Sequence, residues 1–396
     1  MKILIVGAGP AGLYLAYLVK RHEPRHDIRI VEQNDADSTF GFGVVFSDRA
    51  LDFLRHDDEE THRLIASAMQ RWTDLALFHR GEHVVIDGVG FAAIGRLALL
   101  KLLRQRVASV GVVPEYRRTV ATEVELSGYD LVVGADGVHS VVRRLSEAAF
   151  GTRVEFLSNR FVWYGTTRAF ETLSQTFVDT PFGPMNAHHY RYGPAMSTFI
   201  AECDAATWRR AGFETMDDAQ TQAAIESAFA DTLQGHPLVA NKSIWRRFPK
   251  IRNDSWAVGN RVLVGDALHT AHFSIGSGTR LAFEDAIALA QALRDQRGDV
   301  PAALQAYEIA RRPIVDKLVA AANRSADWYE HFGEHMLLDP WQLAWSYIQR
   351  SGRVDVDRLA LVSPRFVAQY EARIARLQSH SSHTNASRPG RMTSGK

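Results

Sequence analysis

Three short motifs of glycine and aspartate contain the residues best suited to bind a phosphate and a sugar. The first is Gly7–Gly12 (GAGPAG), the second ends in Asp136-Gly137, and the third begins at Gly265-Asp266 and continues to Thr279. Glycine lets backbone N–H groups approach a phosphate closely, and a carboxylate accepts hydrogen bonds from sugar hydroxyls. Together the motifs predict one dinucleotide site assembled from distant parts of the chain.

The first motif lies between an apolar run at residues 2–6 and a helical pattern at 13–20. This strand–turn–helix context is what the dinucleotide fingerprint requires. Gly7 permits the tight turn, Gly9 lets the backbone approach a pyrophosphate, and Gly12 lets the helix pack on the strand. The predicted cofactor-binding residues here are Gly7, Gly9, Ala11 and Gly12.

A second strand is predicted at residues 28–31, and an acidic residue follows it directly. An acid about 20 residues beyond the glycines can accept hydrogen bonds from a ribose. We therefore predict that Glu32 and its neighbour Gln33 contact the cofactor. This fingerprint alone does not distinguish NAD from FAD.

The later motifs carry a family resemblance. Asp136-Gly137 with Ser140–Arg143 resembles the DG motif of the flavoprotein aromatic hydroxylases, the single-component FAD-dependent monooxygenases. The resemblance implies that Asp136 and Gly137 lie near the FAD pyrophosphate and that Asp266 binds the ribityl chain. It also implies that Arg96, which opens a predicted helix, reaches the FAD, and that three residues approach the isoalloxazine: Gly276, Gly278 and Thr279.

Other stretches resemble the subgroup of salicylyl-CoA 5-hydroxylase, aminobenzoyl-CoA monooxygenase and the violacein-pathway hydroxylase. The chain departs from most aromatic hydroxylases at Phe273 and Arg280, where a proline and an asparagine are usual, and this departure is shared with the subgroup. The stretches that carry the resemblance are residues 39–48, 161–167, 187–192, 197–203 and 271–279.

The resemblance implies a reaction in which NADH or NADPH reduces FAD and O2 then gives a C4a-hydroperoxyflavin that hydroxylates an aromatic ring. The substrate it implies is a small aromatic compound, possibly a CoA thioester and most specifically salicylyl-CoA. Only one glycine-rich fingerprint occurs, so we expect the pyridine nucleotide to bind transiently. The candidate catalytic residues are His269, His272, Phe273, His188 and Tyr190, whereas Phe161, Trp163 and Phe199 are interpreted as core.

Composition limits the possible partners, cofactors and location of the protein. The formal charge of +1 favours neither nucleic acid nor membrane as a partner. Cys203 is the only cysteine, so no intrachain disulfide is possible, and no cluster of metal ligands is evident. Because a strand is predicted from residue 2, we expect no cleavable signal peptide and place the protein in the cytoplasm. A monomer or a homodimer fits the sequence equally well.

We predict an α/β fold in which a Rossmann-like FAD-binding domain carries an inserted antiparallel-sheet substrate domain and C-terminal helices. The FAD-binding domain comprises 1–77, 88–155 and 253–330, and the substrate domain comprises 78–87 and 156–252. A helical segment follows at 331–378, and the Ser- and Gly-rich residues 379–396 are expected to be a disordered tail.

Three alternatives stay open on the sequence. The chain could be a tailoring hydroxylase of an indole or another aromatic natural product, or an FAD-dependent reductase without oxygen transfer. A non-enzymatic flavin-binding protein is the third. Substrate-dependent oxidation of NAD(P)H, with a product that gains one oxygen, separates the hydroxylases from the other two.

Overall fold

The computed structural model describes residues 1–39, 41–47 and 51–386, with side chains up to residue 376. In chain order the strands are β1 (Lys2–Val6), β2 (Asp27–Val31), β3 (Gly43–Ser47), β4 (Gln70–Trp72), β5 (Leu75–His79), β6 (Glu82–Ile86), β7 (Phe91–Gly95), β8 (Leu131–Gly134), β9 (Thr152–Phe156), β10 (Arg160–Thr166), β11 (Leu173–Thr180), β12 (Gly183–Gly193), β13 (Met196–Cys203), β14 (Leu238–Val239), β15 (Pro249–Asn253), β16 (Ala257–Val258) and β17 (Arg261–Leu263).

The helices alternate with these strands in the first part of the chain and dominate the last third. In chain order they are α1 (Pro10–His22), α2 (Asp52–Asp57), α3 (Glu59–Ser67), α4 (Arg96–Ala108), α5 (Val141–Leu145), α6 (Glu147–Phe150), α7 (Ala205–Arg210), α8 (Asp218–Ala228), α9 (Ala230–Leu233), α10 (Gly278–Asp295), α11 (Val300–Glu330), α12 (Phe332–His335), α13 (Pro340–Gln349), α14 (Val356–Val362) and α15 (Pro364–Ala386).

The first layer is a five-stranded sheet in the order β16-β17-β8-β1-β2, parallel except for β16. The central strand β1 is an apolar run buried from Ile3 to Val6, as expected where helices cover both faces of a parallel sheet. Helix α1 begins at Pro10, whose fixed φ suits a first helical position, and packs against α4 and α10. The Rossmann-like domain predicted from the sequence is confirmed.

The second layer is a seven-stranded sheet in the order β14-β10-β13-β12-β11-β5-β6. Its neighbouring strands are antiparallel, as expected, except that β5 and β11 are parallel. The sheet begins at Leu75, three residues before the predicted start of the substrate domain. One face packs against α7–α9 through Val162, Tyr164 and Phe199, and the other face turns toward the first layer. Smaller sheets join β3-β7-β4 and β15-β9.

The C-terminal helices cover β5 and β6, where Phe366 and Val367 of α15 are buried. Helix α15 continues to Ala386, so it includes residues 379–386 of the predicted disordered tail. A helix anchored by buried residues in its first turns adds one hydrogen bond per further residue, which outweighs the local polar composition. The rest of that predicted tail, residues 387–396, lies outside the described residues, as do Phe40 and Asp48 of the segment 39–48.

Neither a membrane-spanning helix nor a cluster of metal ligands occurs among the described residues. No helix among them is long and apolar enough to cross a membrane. Within the same residues, no group of three or more His, Cys, Asp or Glu side chains could hold a metal ion.

Candidate functional site

A cavity of about 480 Å³ lies between the two layers. The loops that follow β1, β8 and β17 form one wall, and β10, β12 and β13 form the opposite wall. Loops at the carboxyl ends of parallel strands are where open α/β sheets bind ligands. The predicted site residues that line the cavity are Gly7, Gly9, Ala11, Glu32, Gln33, Arg96, Asp136, Gly137, His188, Tyr190, Asp266, Phe273, Gly276, Gly278 and Thr279.

The glycines of the first motif differ in what surrounds them. Gly7 has a φ of +105°, and a Cβ there would lie 2.4 Å from the carbonyl oxygen of Ala135. A Cβ at Gly12 would lie 2.1 Å from the carbonyl oxygen of Gly7, so α1 packs directly on the turn. At Gly9 the nearest atom would be 4.0 Å away, and the residue faces the cavity. Gly7 and Gly12 therefore form the turn, and Gly9 leaves space for a ligand.

The Glu32 carboxylate holds this turn in place. Its Oε2 accepts a hydrogen bond from the backbone N of Ala8 at 3.0 Å, and its Oε1 accepts from N and Nδ2 of Asn34 at 2.9 and 2.7 Å. A carboxylate offers about four acceptor positions, so it retains capacity for a sugar hydroxyl. Gln33 is exposed at the cavity rim.

The second loop presents a half-satisfied carboxylate. Oδ2 of Asp136 accepts a hydrogen bond from the backbone N of Val141 at 2.6 Å, whereas Oδ1 is buried and has no partner among the described residues. Burial raises the pKa of this carboxyl. Arg143 ties the loop to the third motif, because its guanidinium donates to the carbonyl oxygens of Ala267 at 2.7 Å and Val138 at 2.5 Å.

Asp266 and Arg96 bring opposite charges to the middle of the cavity. The Asp266 side chain faces the open space of the cavity, and the surrounding protein shields it from bulk solvent. This desolvation raises the pKa of its carboxyl, an effect that Arg96 partly offsets. Burial likewise lowers the pKa of the Arg96 guanidinium, against the influence of Asp266. Within the described part of the chain, neither side chain has a hydrogen-bond partner, so both are available to a ligand.

Helix α10 begins at the cavity. Gly276 has a φ of +58° and turns the chain into Ser277, the N-cap, whose side chain makes no capping hydrogen bond. The first N–H groups of α10, from Gly278 and Thr279, are therefore free, and they carry the positive end of the helix dipole. The start of α10 can thus stabilise negative charge on a bound group.

His188 lies on the sheet side of the cavity and is 4% exposed. Neither ring nitrogen has a partner among the described residues. Burial, with a smaller contribution from Arg350, lowers the pKa of this imidazole to about 3, so the ring is neutral at pH 7 and offers one donor and one acceptor. The hydroxyl hydrogen of Tyr190, two residues along the strand, is not available to a ligand, because it is donated to the carbonyl oxygen of Gly43 at 2.9 Å.

Aromatic rings enclose the space beside His188. Phe161 and Phe273 pack with ring centroids 5.0 Å apart, and Phe248 lies 6.1 Å from Phe273. Trp163 completes this wall. Phe161 and Trp163 were interpreted as core, but strand alternation turns both toward the cavity, while Phe199 is in the core as expected. A flat apolar ring fits such a wall.

Two predicted catalytic histidines do not line the cavity. His269 follows the tight turn at Gly265–Ala267 and donates from Nε2 to Oδ2 of buried Asp285 at 2.9 Å. The ring of His272 is 2% exposed, its Nδ1 lies 2.8 Å from Oγ of Ser274, and burial lowers its pKa to about 3. Proximity in sequence to the Gly-Asp motif suggested contact with substrate, but the turn directs both rings into the protein.

The arrangement fits FAD. Two helices, α1 and α10, direct free N-terminal N–H groups at one cavity, where Gly9 leaves room for a pyrophosphate. The unpartnered Oδ1 of Asp136 and the free Asp266 carboxylate face the middle, where polar groups of a ligand would satisfy them. The aromatic end suits a flavin ring and an aromatic substrate.

Sequence reasoning missed part of the lining. Val45, Ile200 and Phe248 contact the cavity without having been predicted. Alternation along β13 could have identified Ile200, since it shares a face with Thr198 and Glu202. Phe248 lies in the segment Trp245–Arg252, where it is flanked by the basic side chains of Arg246, Arg247 and Lys250.

Comparison with known proteins agrees with this geometry. Residues 108–322 match the family described as FAD binding domain, and residues 5–69 match an NAD(P)-binding Rossmann-like domain. The chain is 41% identical over 361 residues to salicyloyl-CoA 5-hydroxylase from a Streptomyces species, covering 89% of this chain and 70% of the relative. The chain therefore belongs to the FAD-dependent aromatic hydroxylases, monooxygenases that use NAD(P)H and O2.

Two further relatives are almost as similar. One is 3-hydroxy-4-methyl-anthranilyl-[aryl-carrier protein] 5-monooxygenase of Streptosporangium sibiricum, 39% identical over 83% of this chain and 89% of the relative. The other is protodeoxyviolaceinate monooxygenase of Chromobacterium violaceum, 34% identical over 88% of this chain and 94% of the relative.

Solved structures share the fold at low identity. A tetrameric form of 2-methyl-3-hydroxypyridine-5-carboxylic acid oxygenase has a TM-score of 0.68 at 19% identity, covering 91% of this chain and 95% of that chain. PqsL of P. aeruginosa in complex with 2-aminobenzoylacetate has a TM-score of 0.66 at 21% identity, covering 88% and 99%.

Proposed function

We propose that this monooxygenase hydroxylates the ring of an aryl thioester, with salicylyl-CoA as the favoured substrate. The observation that carries the proposal is the unpartnered, neutral His188 beside an aromatic wall at one end of the cavity. The 41% identity to salicyloyl-CoA 5-hydroxylase supports the choice of substrate. In salicylyl-CoA the ring position para to the hydroxyl is C5, which is the carbon most activated toward an electrophilic oxygen.

The overall reaction consumes one aromatic substrate, one O2, one NAD(P)H and one proton, and it yields the hydroxylated ring, NAD(P)+ and water. When bound, FAD supplies the redox chemistry that accepts a hydride and delivers one oxygen atom. The rings of Phe161, Trp163 and Phe273 position the substrate ring and exclude water. His188 accepts a hydrogen bond from the ring hydroxyl.

Cofactor roles follow from the same cavity. We propose that Gly9 and the start of α1 bind the pyrophosphate and that Glu32 binds the adenosine ribose. Asp266 and Arg96 contact the ribityl chain. The free N–H groups at the start of α10 then stabilise the negative charge that a reduced flavin carries.

The thioester tail would carry phosphates, and the segment Trp245–Arg252 is the proposed contact. Phe248 lines the cavity, while its neighbours Arg246 and Arg247 are exposed, so the segment connects the cavity wall to the surface. A phosphate contact predicts that the KM for salicylyl-CoA rises with salt and that the KM for salicylyl-pantetheine, which lacks phosphates, does not.

The proposal is tested by NADH and NADPH oxidation with salicylyl-CoA beside free salicylate, with products measured by mass. Oxidation stimulated by the thioester alone, with a gain of one oxygen, is the expected result. Stimulation by free salicylate or by neither compound contradicts the thioester assignment, and protodeoxyviolaceinate is then the next substrate to assay, because that relative is 34% identical.

We further propose a cytoplasmic location, where NAD(P)H is held reduced, and a monomer or homodimer.

A further inference from the structure

Four polar side chains share the cavity face of the seven-stranded sheet. Asn186 and His188 alternate along β12, so their side chains lie on the same face. Gln175 on β11 is directly opposite His188, and Glu202 on β13 is directly opposite Asn186. Directly opposed residues on neighbouring strands place their side chains side by side. The four therefore form a continuous polar strip that leads away from the cavity.

This strip is buried and unsatisfied. Gln175 is 0% exposed, Asn186 1% and Glu202 3%. Among the described residues, no partner exists for either amide atom of Gln175 or Asn186, for either nitrogen of His188, or for Oε2 of Glu202. One buried unsatisfied polar atom costs about 1–3 kcal/mol, so seven on one sheet face would cost more than most domains could tolerate. Ordered water is the usual partner for such groups.

The strip continues to the surface. Oε1 of Glu202 accepts a hydrogen bond from Nδ2 of Asn159 at 2.9 Å, and the backbone N of Asn159 donates to Oε1 of Glu330 at 2.9 Å. Oε2 of Glu330 also accepts from N and Oγ of Ser158, at 2.7 and 2.6 Å, in an exposed position. One end of the strip is thus at the cavity, and the other is at solvent.

Glu202 has the surroundings of a group that exchanges a proton near neutral pH. Burial raises the pKa of its carboxyl to about 8, the hydrogen bond from Asn159 lowers it, and Glu330 raises it further. The other titratable groups around this part of the strip are Tyr329 on α11 and Cys203 on β13. Toward the cavity end, Arg350 and His272 face His188.

We propose that Gln175, Asn186 and Glu202 hold a chain of ordered waters that carries a proton between His188 and the surface at Glu330. The inference rests on the proposed function for its purpose, which is to remove the ring-hydroxyl proton of the substrate. The O–H bond of the substrate breaks and its electron pair stays on oxygen. His188 takes the proton on one nitrogen and releases one from the other, and the chain delivers a proton to solvent. Glu202 is a positioning residue in this path and does not touch substrate.

The first experiment needs no substrate. Infrared titration of the holoenzyme should show a protonated-carboxyl band that disappears near pH 8 and is absent from Glu202→Gln. Glu226→Gln, which alters a half-buried carboxylate on α8 bonded to the backbone N of Leu238, is the matched control and should keep the band. A crystal structure of the holoenzyme should show waters bonded to Asn186 and to Oε2 of Glu202. The proposal is overturned if this band is missing, or if the crystal structure shows no ordered water at Asn186 and Glu202.

The second experiment measures proton transfer from bound salicylyl-CoA to the FAD-loaded protein without NAD(P)H. After a pH jump, phenolate absorbance should appear about tenfold or more slowly in Glu202→Gln and Asn186→Leu, at unchanged salicylyl-CoA affinity. Equal rates in parent and variants overturn the proposal. A titrating carboxyl band and ordered waters, in a protein that does not bind salicylyl-CoA, would instead contradict only the proposed substrate.

Discussion

The Nε2 of His269 donates a hydrogen bond to Oδ2 of Asp285 at 2.9 Å, inside the protein rather than at the cavity. The same carboxylate accepts from the backbone N of Gly265 at 3.0 Å and pairs with Arg311 at 2.8 Å. Burial alone would raise the pKa of Asp285, but His269 and Arg311 outweigh it and hold this pKa below its usual value. Asp285 thereby fixes the turn that presents Asp266 to the cavity.

Asp285→Asn should therefore destabilise the apoprotein by about 3 kcal/mol, because it removes a carboxylate that pairs with buried Arg311 and accepts from His269, and leaves Arg311 with Glu284 at 2.7 Å. Urea unfolding measures the change. Asp295→Asn breaks an exposed pair with Arg294 and should cost about 1 kcal/mol or less. Equal losses in the two variants would contradict the assigned role of Asp285.

Gly9→Ala and Gly12→Ala should fail in different ways. A Cβ at Gly12 meets the backbone of Gly7 at 2.1 Å, so this variant should be poorly folded. A Cβ at Gly9 fits the protein but enters the cavity, so the apoprotein should keep its stability and lose about tenfold or more in FAD affinity, or 1.4 kcal/mol.

Apoprotein unfolding and FAD titration separate these two outcomes. Gly193→Ala, at a position where a Cβ meets nothing within 4 Å, is the control and should change neither quantity. If folded Gly9→Ala keeps the parental FAD affinity, the pyrophosphate does not bind at the start of α1.

Asp266→Ala should fold and lose FAD, because this carboxylate faces the cavity and interacts with Arg96 through charge alone. Flavin absorbance per protein after purification gives the loss directly. The exposed Asp179→Ala serves as the comparison and should retain its flavin. A yellow Asp266→Ala protein with parental affinity would refute the assignment.

Buried neutral histidines make the protein acid-sensitive. The pKa values of His188 and His272 are about 3 in the folded chain, against 6.5 when exposed. Below pH 6.5 the unfolded chain therefore binds more protons, and stability falls as the pH drops from 6.5 toward 3. His272→Asn should reduce this slope between pH 6.5 and 5 in urea unfolding, and an unchanged slope would show that the ring is protonated when folded.

Glu202 changes the pH dependence of stability in the opposite direction to the buried histidines. The pKa of its carboxyl is about 8 in the folded chain against a usual value of 4.5, so the folded chain binds more protons between these values and stability falls as the pH rises. One such proton gives a slope of about 1.4 kcal/mol per pH unit, and Glu202→Gln should remove it. Parallel stability curves for parent and variant from pH 5 to 8 would mean that Glu202 is already ionised in the fold.

The nucleotide side of the cavity could be predicted from the sequence because each motif is local. Gly7, Gly9 and Gly12 lie within one turn and the start of one helix, and the apolar run before them defines the strand. The orientation of His269 could not be predicted in this way, because it depends on the tight turn at Gly265–Ala267 and on Asp285, a partner 16 residues further along the chain.

The polar strip escaped prediction for a different reason. Gln175, His188 and Glu202 come together only through the pairing of β11, β12 and β13. Alternation predicts which residues of one strand share a face, but the register between strands depends on the whole sheet. A residue such as Gln175 carries no local signal that its neighbour is a histidine.

The order of strands in the parallel sheet has a consequence for biosynthesis. Strand β1 emerges from the ribosome long before its neighbour β8, which begins at Leu131, and before the next strand, β17, which begins at Arg261. Domains generally fold as units during synthesis, at about 5–20 residues per second. The nascent chain must therefore hold an incomplete sheet until the third loop and α10 have emerged, and FAD capture comes late in translation.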